Sequence, residues 1–232
     1  MRGQSQPAKQ FRYLDLLINI FVVVLIVSNL IAPKLVPLGK LRISAAQLLF
    51  PITYIFGDIF TEVYGYSASR RAIWTGFMAS IIMTAFGLFA IWLPAAPEFK
   101  DQAAYETIFG VVPRNVAASL LAYCAGEFAN SLTVAKMKLW TEGKYLWTRT
   151  VGSTVIGQAV DTTIVILVIF WGQPLSELAN LIFSGYVFKV TYEVLATPLT
   201  YVIVNSLKRA EGVNFFDRGT NFNPFALRAR GI

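Results

Sequence analysis

Residues 50–65 read FPITYIFGDIFTEVYG, an apolar segment that carries two acids, Asp58 and Glu62, four residues apart. In a helix that spacing puts both on one face, with Tyr54 one turn further back. An acid at mid-bilayer costs at least about 2.5 kcal/mol on insertion scales, so it should face a partner or a cavity rather than lipid. The flanking sequence decides whether this segment belongs in a membrane.

Of the 232 residues, 56% are hydrophobic and 14% charged, and the mean hydropathy is +0.57. Soluble domains are about a quarter charged, so the apolar excess calls for a lipid environment. A bilayer core about 30 Å thick takes roughly 20 helical residues to cross. Residues 16–33 and 72–97 qualify outright, and four more stretches are long and apolar but broken by isolated polar residues. The expected fold class is all-α: an integral membrane bundle of six transmembrane helices, at about 14–36, 43–65, 72–93, 116–135, 150–171 and 180–206. These make one domain, 1–207, followed by a basic tail, 208–232, with no apolar period and an end expected to be mobile. GYSASRR (65–71) and KMKLWTEGKYLWTR read as linkers, and 94–115 as an external loop with room for a short interfacial helix.

Lys and Arg set the orientation. With six spans, fourteen of the twenty fall at one membrane face, in both termini and the second and fourth loops, and five at the other. Both termini are therefore expected in the cytoplasm. The net charge of +7 could suggest nucleic acid, but it is spread over one membrane face, where topology and anionic lipid account for it. No nucleic-acid partner is expected. The first apolar run is long for a signal peptide and lacks a cleavage pattern, so it reads as a retained helix. Trp92, Trp140, Trp147 and Trp171 fall where spans meet the interface and read as an aromatic belt.

With no histidine and the single Cys124, intramolecular disulfides, zinc sites and His-based triads are excluded. No P-loop appears. FGD superficially suggests an intramembrane aspartyl protease, but Ile55 stands where its further glycine belongs, and QAVDT lacks the tyrosine partner. An enzyme is the minority reading, and no cofactor or metal is expected.

The informative residues are those that do not belong in hydrocarbon. They are Asn29 in the first span; Gln47, Asp58 and Glu62 in the second; Glu127 and Asn130 in the fourth; Gln158 and Asp161 in the fifth; and Lys189 and Glu193 in the sixth. Tyr54, Asp58 and Glu62 share one face, as do Tyr123, Glu127 and Asn130, and Gln158, Asp161 and Thr162. With Lys189 and Glu193 of the sixth span as a fourth, these stripes facing one another make a polar pocket near the bilayer centre. Five acids against one lysine must be partly protonated, hydrated, paired at the rim or neutralised by a cationic ligand. That surplus is raw material for proton coupling without establishing it. Asp58, Glu127 and Asp161 lie deepest and read as functional. Glu62 serves a gate or meets Arg70 or Arg71 at the rim. Lys189 and Glu193, four apart, either pair with each other or face a ligand. Asn29 and Gln47 are interhelical glue or ligand contacts. Pro51 is expected to bend the second span near the acids, and Ser153 with Gly157 forms a small-xxx-small pair.

FPITYIFGDIFTEVYGYSASRRAIW (50–74), VSNLIAPK (27–34), GEFANS (126–131), GQAVDT (157–162) and FKVTYEVLATPLTY (188–201) together resemble the queuosine precursor transporter family, also called the vitamin uptake transporter family. The resemblance covers nearly all of the membrane portion. It implies a six-helix inner-membrane protein importing pre-queuosine bases, the cyano- or aminomethyl-deazaguanines. The polar set suits that cargo. A guanine-type edge offers adjacent N–H donors to a carboxylate such as Asp58, Glu127 or Asp161, and an amide such as Asn130 or Gln158 can meet its carbonyl. Tyr54, Tyr123 or Tyr192 can stack on the ring, and Glu193 is counted with the pocket. The chain would work alone or as a homodimer. The alternative is a vitamin-binding subunit of a larger energised transporter.

Overall fold

The structure is a computed structural model, and it describes residues 11–31, 34–38, 41–110, 112–169, 172–217 and 220–225. Trp171 and the basic residues Arg2, Lys9, Lys40, Arg218, Arg228 and Arg230 lie outside the described residues, as does the extreme end of the tail; the side chains of Gln47 and Arg114 also lie outside.

Among the described residues seven α-helices occur in order: α1 (Leu14–Ile31), α2 (Phe50–Ile59), α3 (Tyr66–Trp92), α4 (Gln102–Gly110), α5 (Val112–Trp140), α6 (Leu146–Ile169) and α7 (Leu175–Glu211). Four of them, α1, α3, α6 and α7, are long and apolar enough to cross a membrane. The chain is thus a multi-pass helical membrane protein, and one hairpin holds the strands found among the described residues. α5 is 29 residues long, but its run of Glu127, Asn130, Ser131, Lys136 and Lys138 dilutes its hydropathy.

The second stretch differs most from expectation. It is not one continuous helix. Strands β1 (Leu35–Leu38) and β2 (Leu41–Ser44) pair antiparallel, with Val36 opposite Ile43, and the turn Ala45–Leu48 leads into α2. Pro37 is tolerated because a two-stranded hairpin consists only of edges. α2 has Pro51 in its first turn, where a missing N–H costs nothing, so Pro51 starts the helix instead of bending it. After Ile59 the helix widens into a π turn, Phe60–Tyr64, a local distortion found often at functional sites. A proline does lie inside a helix, but it is Pro198 of α7.

α2 packs against α1, α5 and α7, and its π turn against α3, α5 and α7. Tyr54, Ile55, Asp58, Ile59, Phe60, Val63 and Tyr64 are all buried. An element apolar all round is a core element, so the two acids of this segment sit in protein rather than facing lipid. Phe21 of α1 anchors it, with its ring 5.7 Å from Phe60 and 6.2 Å from Phe56. Lipid-facing surface lies elsewhere, on residues such as Phe86, Leu195 and Val202. Trp92, Trp140 and Trp147 are exposed at helix ends, as an interfacial belt requires, and the 94–115 loop contains the exposed short helix α4.

One end of the bundle gathers the start of α1, the π turn, the starts of α3 and α6, and the ends of α5 and α7. It holds Arg12, Arg70, Arg71, Lys136, Lys138, Lys144, Arg149, Lys208 and Arg209. The two expected linkers there are shorter than the sequence suggests. Residues 66–71 form the first turns of α3, and α5 runs on to Trp140 before a turn leads to Leu146.

Residues 213–217 and 220–225 lie back across this basic end. Gly65, at φ +88°, sets the chain for α3 without the cost a side chain would meet there. Asp217 then caps α3, its two carboxylate oxygens accepting from the Tyr66 N–H at 3.1 and 3.2 Å. Arg70 donates to the carbonyls of Asn221 and Asn223, Tyr66 Oη to that of Phe222, and Trp74 Nε1 to that of Pro224. Glu211 accepts from the Arg12 and Tyr13 N–H groups and from Tyr64 Oη, satisfying donors that precede α1.

Asp217→Ala removes a helix cap, which costs about 1 kcal/mol, and is expected to open the docked tail segments to limited proteolysis while the bundle stays intact. Burial pushes the Asp217 carboxyl above its ordinary range. The docked tail therefore holds that proton more tightly than a released tail, so docking weakens as pH rises through the raised value. Asp217→Asn should abolish this pH dependence of cleavage.

Candidate functional site

The site is built on close helix approach. α5 and α6 cross at Gly126 and Gly157, and a methyl on either residue would stand 2.9 Å from the other's carbonyl oxygen. The same methyl on Gly126 would meet the Tyr54 hydroxyl at 2.5 Å and Asp161 Cβ at 2.7 Å. Gly57 of α2 is covered by the Glu127 carboxylate, whose Oε1 lies 1.5 Å from where a Cβ would sit. Three glycines thus bring the polar faces of α2, α5 and α6 together.

Asp58 is buried there. Its Oδ1 accepts from Asn130 Nδ2 at 2.9 Å and from Ser153 Oγ at 3.3 Å. Its Oδ2 has no hydrogen-bond partner among the described residues, and neither do both oxygens of Glu127 and Glu193, Asn130 Oδ1, both amide atoms of Gln158, and the hydroxyls of Thr154 and Thr162. Glu127 lies within electrostatic reach of Asp58, Glu193 and Asp161. Asp161 is paired with Lys189 Nζ at 2.5 Å. Tyr54 and Tyr123 meet edge to face, with ring centroids 6.2 Å apart, and together form an aromatic wall. Natively folded proteins seldom leave so many buried polar atoms unmatched; here they converge from four helices, as in a preorganised ligand site.

One turn towards the basic end the arrangement is opposite. Glu62 is fully buried and saturated. Arg149 grips it in a fork, Nη2 to Oε1 at 2.8 Å and Nε to Oε2 at 3.1 Å. Lys208 Nζ donates to Oε1 at 2.6 Å, and Lys138 Nζ donates to the Glu62 carbonyl at 2.7 Å. Arg149 is held in turn by Thr141 Oγ1 and the Lys144 carbonyl. The cluster ties α2 to α5, α6 and α7.

All the residues expected to form the pocket, Tyr54, Asp58, Tyr123, Glu127, Asn130, Gln158, Asp161 and Glu193, are buried. Two pairings differ from expectation. Glu62 does not meet Arg70 or Arg71: Arg70 is committed to the tail carbonyls, and Arg71 to exposed Asp15 at 2.7 Å. Lys189 bonds Asp161 on the neighbouring helix, not Glu193 on its own. Asn29 donates to Ser80 on α3, the interhelical role. Sequence reasoning missed Lys138, Arg149 and Ser153, assigning the first two to a loop. The signal was available, because Asn130, Val134 and Lys138 continue one helical stripe, as do Arg149, Ser153 and Gly157.

A helical membrane bundle with buried polar groups converging between its helices and a charged cluster beside them has the features of a small-molecule transporter. The family model described as "Putative vitamin uptake transporter" matches residues 44–203, and the chain belongs to this family. It is also 30% identical over 179 residues to a Bacillus subtilis (strain 168) protein named "Probable queuosine precursor transporter", covering 75% of this chain and 77% of the relative. No solved structure matches the chain.

Gly157→Ala places a methyl 2.9 Å from both backbone and Asn130 Cβ, so it should destabilise the protein by about 1–3 kcal/mol. Gly185→Ala, whose nearest neighbour is Thr162 Cγ2 at 3.4 Å, should not. Thermal unfolding in detergent separates the two. Glu62→Gln strands Lys138 and Arg149, each 1% exposed, and should cost about 3–5 kcal/mol in the same measurement.

Proposed function

We propose that the protein imports queuosine precursors, flat deazaguanine bases, across the inner (cytoplasmic) membrane. In this reading it spans the bilayer six times, with both termini in the cytoplasm. The observation that carries the reading is the set of unmatched donors and acceptors on Asp58, Glu127, Asn130 and Gln158, in a chain whose relative is named for that cargo. A guanine-type edge pairs its adjacent N–H donors with the Glu127 carboxylate or the free oxygen of Asp58. Its carbonyl accepts from Gln158 Nε2, and Tyr54 and Tyr123 flank the ring. An analogue missing one donor would leave a buried acceptor empty, which is the strongest means of rejection available to such a site.

The Glu62 cluster is the inner gate. It closes the basic end while Asp58, one turn away, remains free for cargo, and release to the cytoplasm requires Glu62 to part from Arg149 and Lys208. Asp58, Glu127 and Glu193 form no ion pair among the described residues, whereas Asp161 has Lys189. The cation of an aminomethyl substituent neutralises part of that surplus, and for a neutral base a proton carried with the cargo does so, which couples its uptake to protons. The functional unit is a single chain or a homodimer. One second reading is kept, a vitamin-capture subunit that needs an energising partner; the family description supports only its vitamin cargo.

Uptake of labelled deazaguanine into cells unable to make it is expected to fall at least about tenfold for Asp58→Asn, Glu127→Gln and Asp161→Asn at unchanged membrane abundance. Normal uptake by all three overturns the pocket. Concentrative uptake that survives collapse of the proton gradient overturns the coupling. Uptake by the pure protein in liposomes excludes the capture-subunit reading.

A further inference from the structure

On the outer face of α3, away from the polar site, a groove of about 560 Å³ runs along the helix, lined by Ser67, Arg70, Arg71, Trp74, Thr75, Met78, Ala79 and Ile82. Its chemistry is graded. Ser67, the two arginines and Thr75 lie towards the basic end of the bundle. Met78 and Ile82, 52% and 51% exposed, make the far part apolar. From Arg71 to Ile82 the helix rises about 16 Å, half the thickness of a hydrocarbon core about 30 Å across. The groove therefore has its charge at the depth of a headgroup and its apolar floor at the depth of one leaflet's chains.

The charged end is built. Arg70 is buried and fixed by the Asn221 and Asn223 carbonyls. Trp74 is fixed by the Pro224 carbonyl, with the Phe225 ring 5.8 Å away. The tail thus holds one wall in place. Arg71 is different: its side chain is 59% exposed, and its partner Asp15 is 85% exposed. A pair so wet is weak, and a phosphate offers the same guanidinium a bidentate partner at the membrane surface.

We propose that this groove holds one anionic phospholipid, its phosphate on Arg71 and one acyl chain along Met78, Ala79 and Ile82. The lipid stands beside the docked tail, so its occupancy steadies the surface on which residues 221–225 lie.

The test uses the full chain purified in detergent, with native mass spectrometry and thermal shift read together. Phosphatidylglycerol is expected to be retained one per chain and to raise the melting temperature, whereas phosphatidylcholine with the same chains does neither. Arg71→Gln should weaken phosphatidylglycerol binding about tenfold. Asp15→Asn, which frees Arg71, should leave binding as tight or tighter. If Arg71→Gln does not fold, Arg71→Lys serves, since it keeps the charge without the fork and should still bind more weakly than the parent. Equal responses to the two lipids overturn the proposal, as does undiminished binding by the Arg71 variants. A full shift with inorganic phosphate alone overturns the acyl-chain part. Disulfide cross-linking of two copies through cysteines placed at Met78 or Ile82 assigns the groove to a dimer and overturns the lipid.

Discussion

The contact between Gly126 and Gly157 is the constraint on which the rest depends. Each glycine's carbonyl oxygen fills the space where the other's side chain would stand, so α5 and α6 meet backbone to backbone. In lipid, where apolar burial gives helices no advantage over acyl chains, such close approach is a principal source of association. It also determines what lies beside it. Asn130 and Asp161 leave their helices next to this crossing, and Gly57 admits Glu127 to the same place. Larger residues at these three positions would hold the polar stripes apart.

Within this frame the buried charges divide into two groups by partner. Glu62 has more cations than it needs, all with hydrogen bonds. Replacing such a cluster with apolar residues need not destabilise a protein, whereas removing one member is costly. An arrangement of this kind suits a closure that must be either fully made or fully broken. Among the described residues Asp58, a turn away, has only neutral donors and one oxygen without a partner, and Glu127 and Glu193 have none. α2 and the π turn that follows it therefore present an unsatisfied acid to the interior and a satisfied one to the basic end. The π turn between α2 and Gly65 changes the phase of the chain between them.

Long lipid-facing helices were legible in the sequence because lipid imposes a length and an apolar composition on them. The polar stripes were legible because 3.6-residue periodicity survives in any helix. Partners were not. Arg70 and Arg71 follow Glu62 closely in sequence, yet the helix carries them away towards the tail, and cations 76 and 87 residues distant reach the acid instead. Lys189 has an acid one turn along its own helix and takes the one across the interface, a choice set only by how α6 and α7 pack. Hydropathy could not distinguish α2 from a lipid span, because burial in protein and in lipid ask for the same residues. The docked tail has no periodicity, since side chains bonding to carbonyls hold it in place.

The chain is a family transporter whose core sets buried, unmatched polar groups beside a saturated ion-pair cluster. The most direct test of that account is an equilibrium titration of the purified protein with an aminomethyl-deazaguanine, alongside the same base methylated on its guanine-type edge. The account predicts saturable binding of one molecule per chain and none of the blocked analogue. Absence of saturable binding, or equal binding of the blocked base, would contradict it.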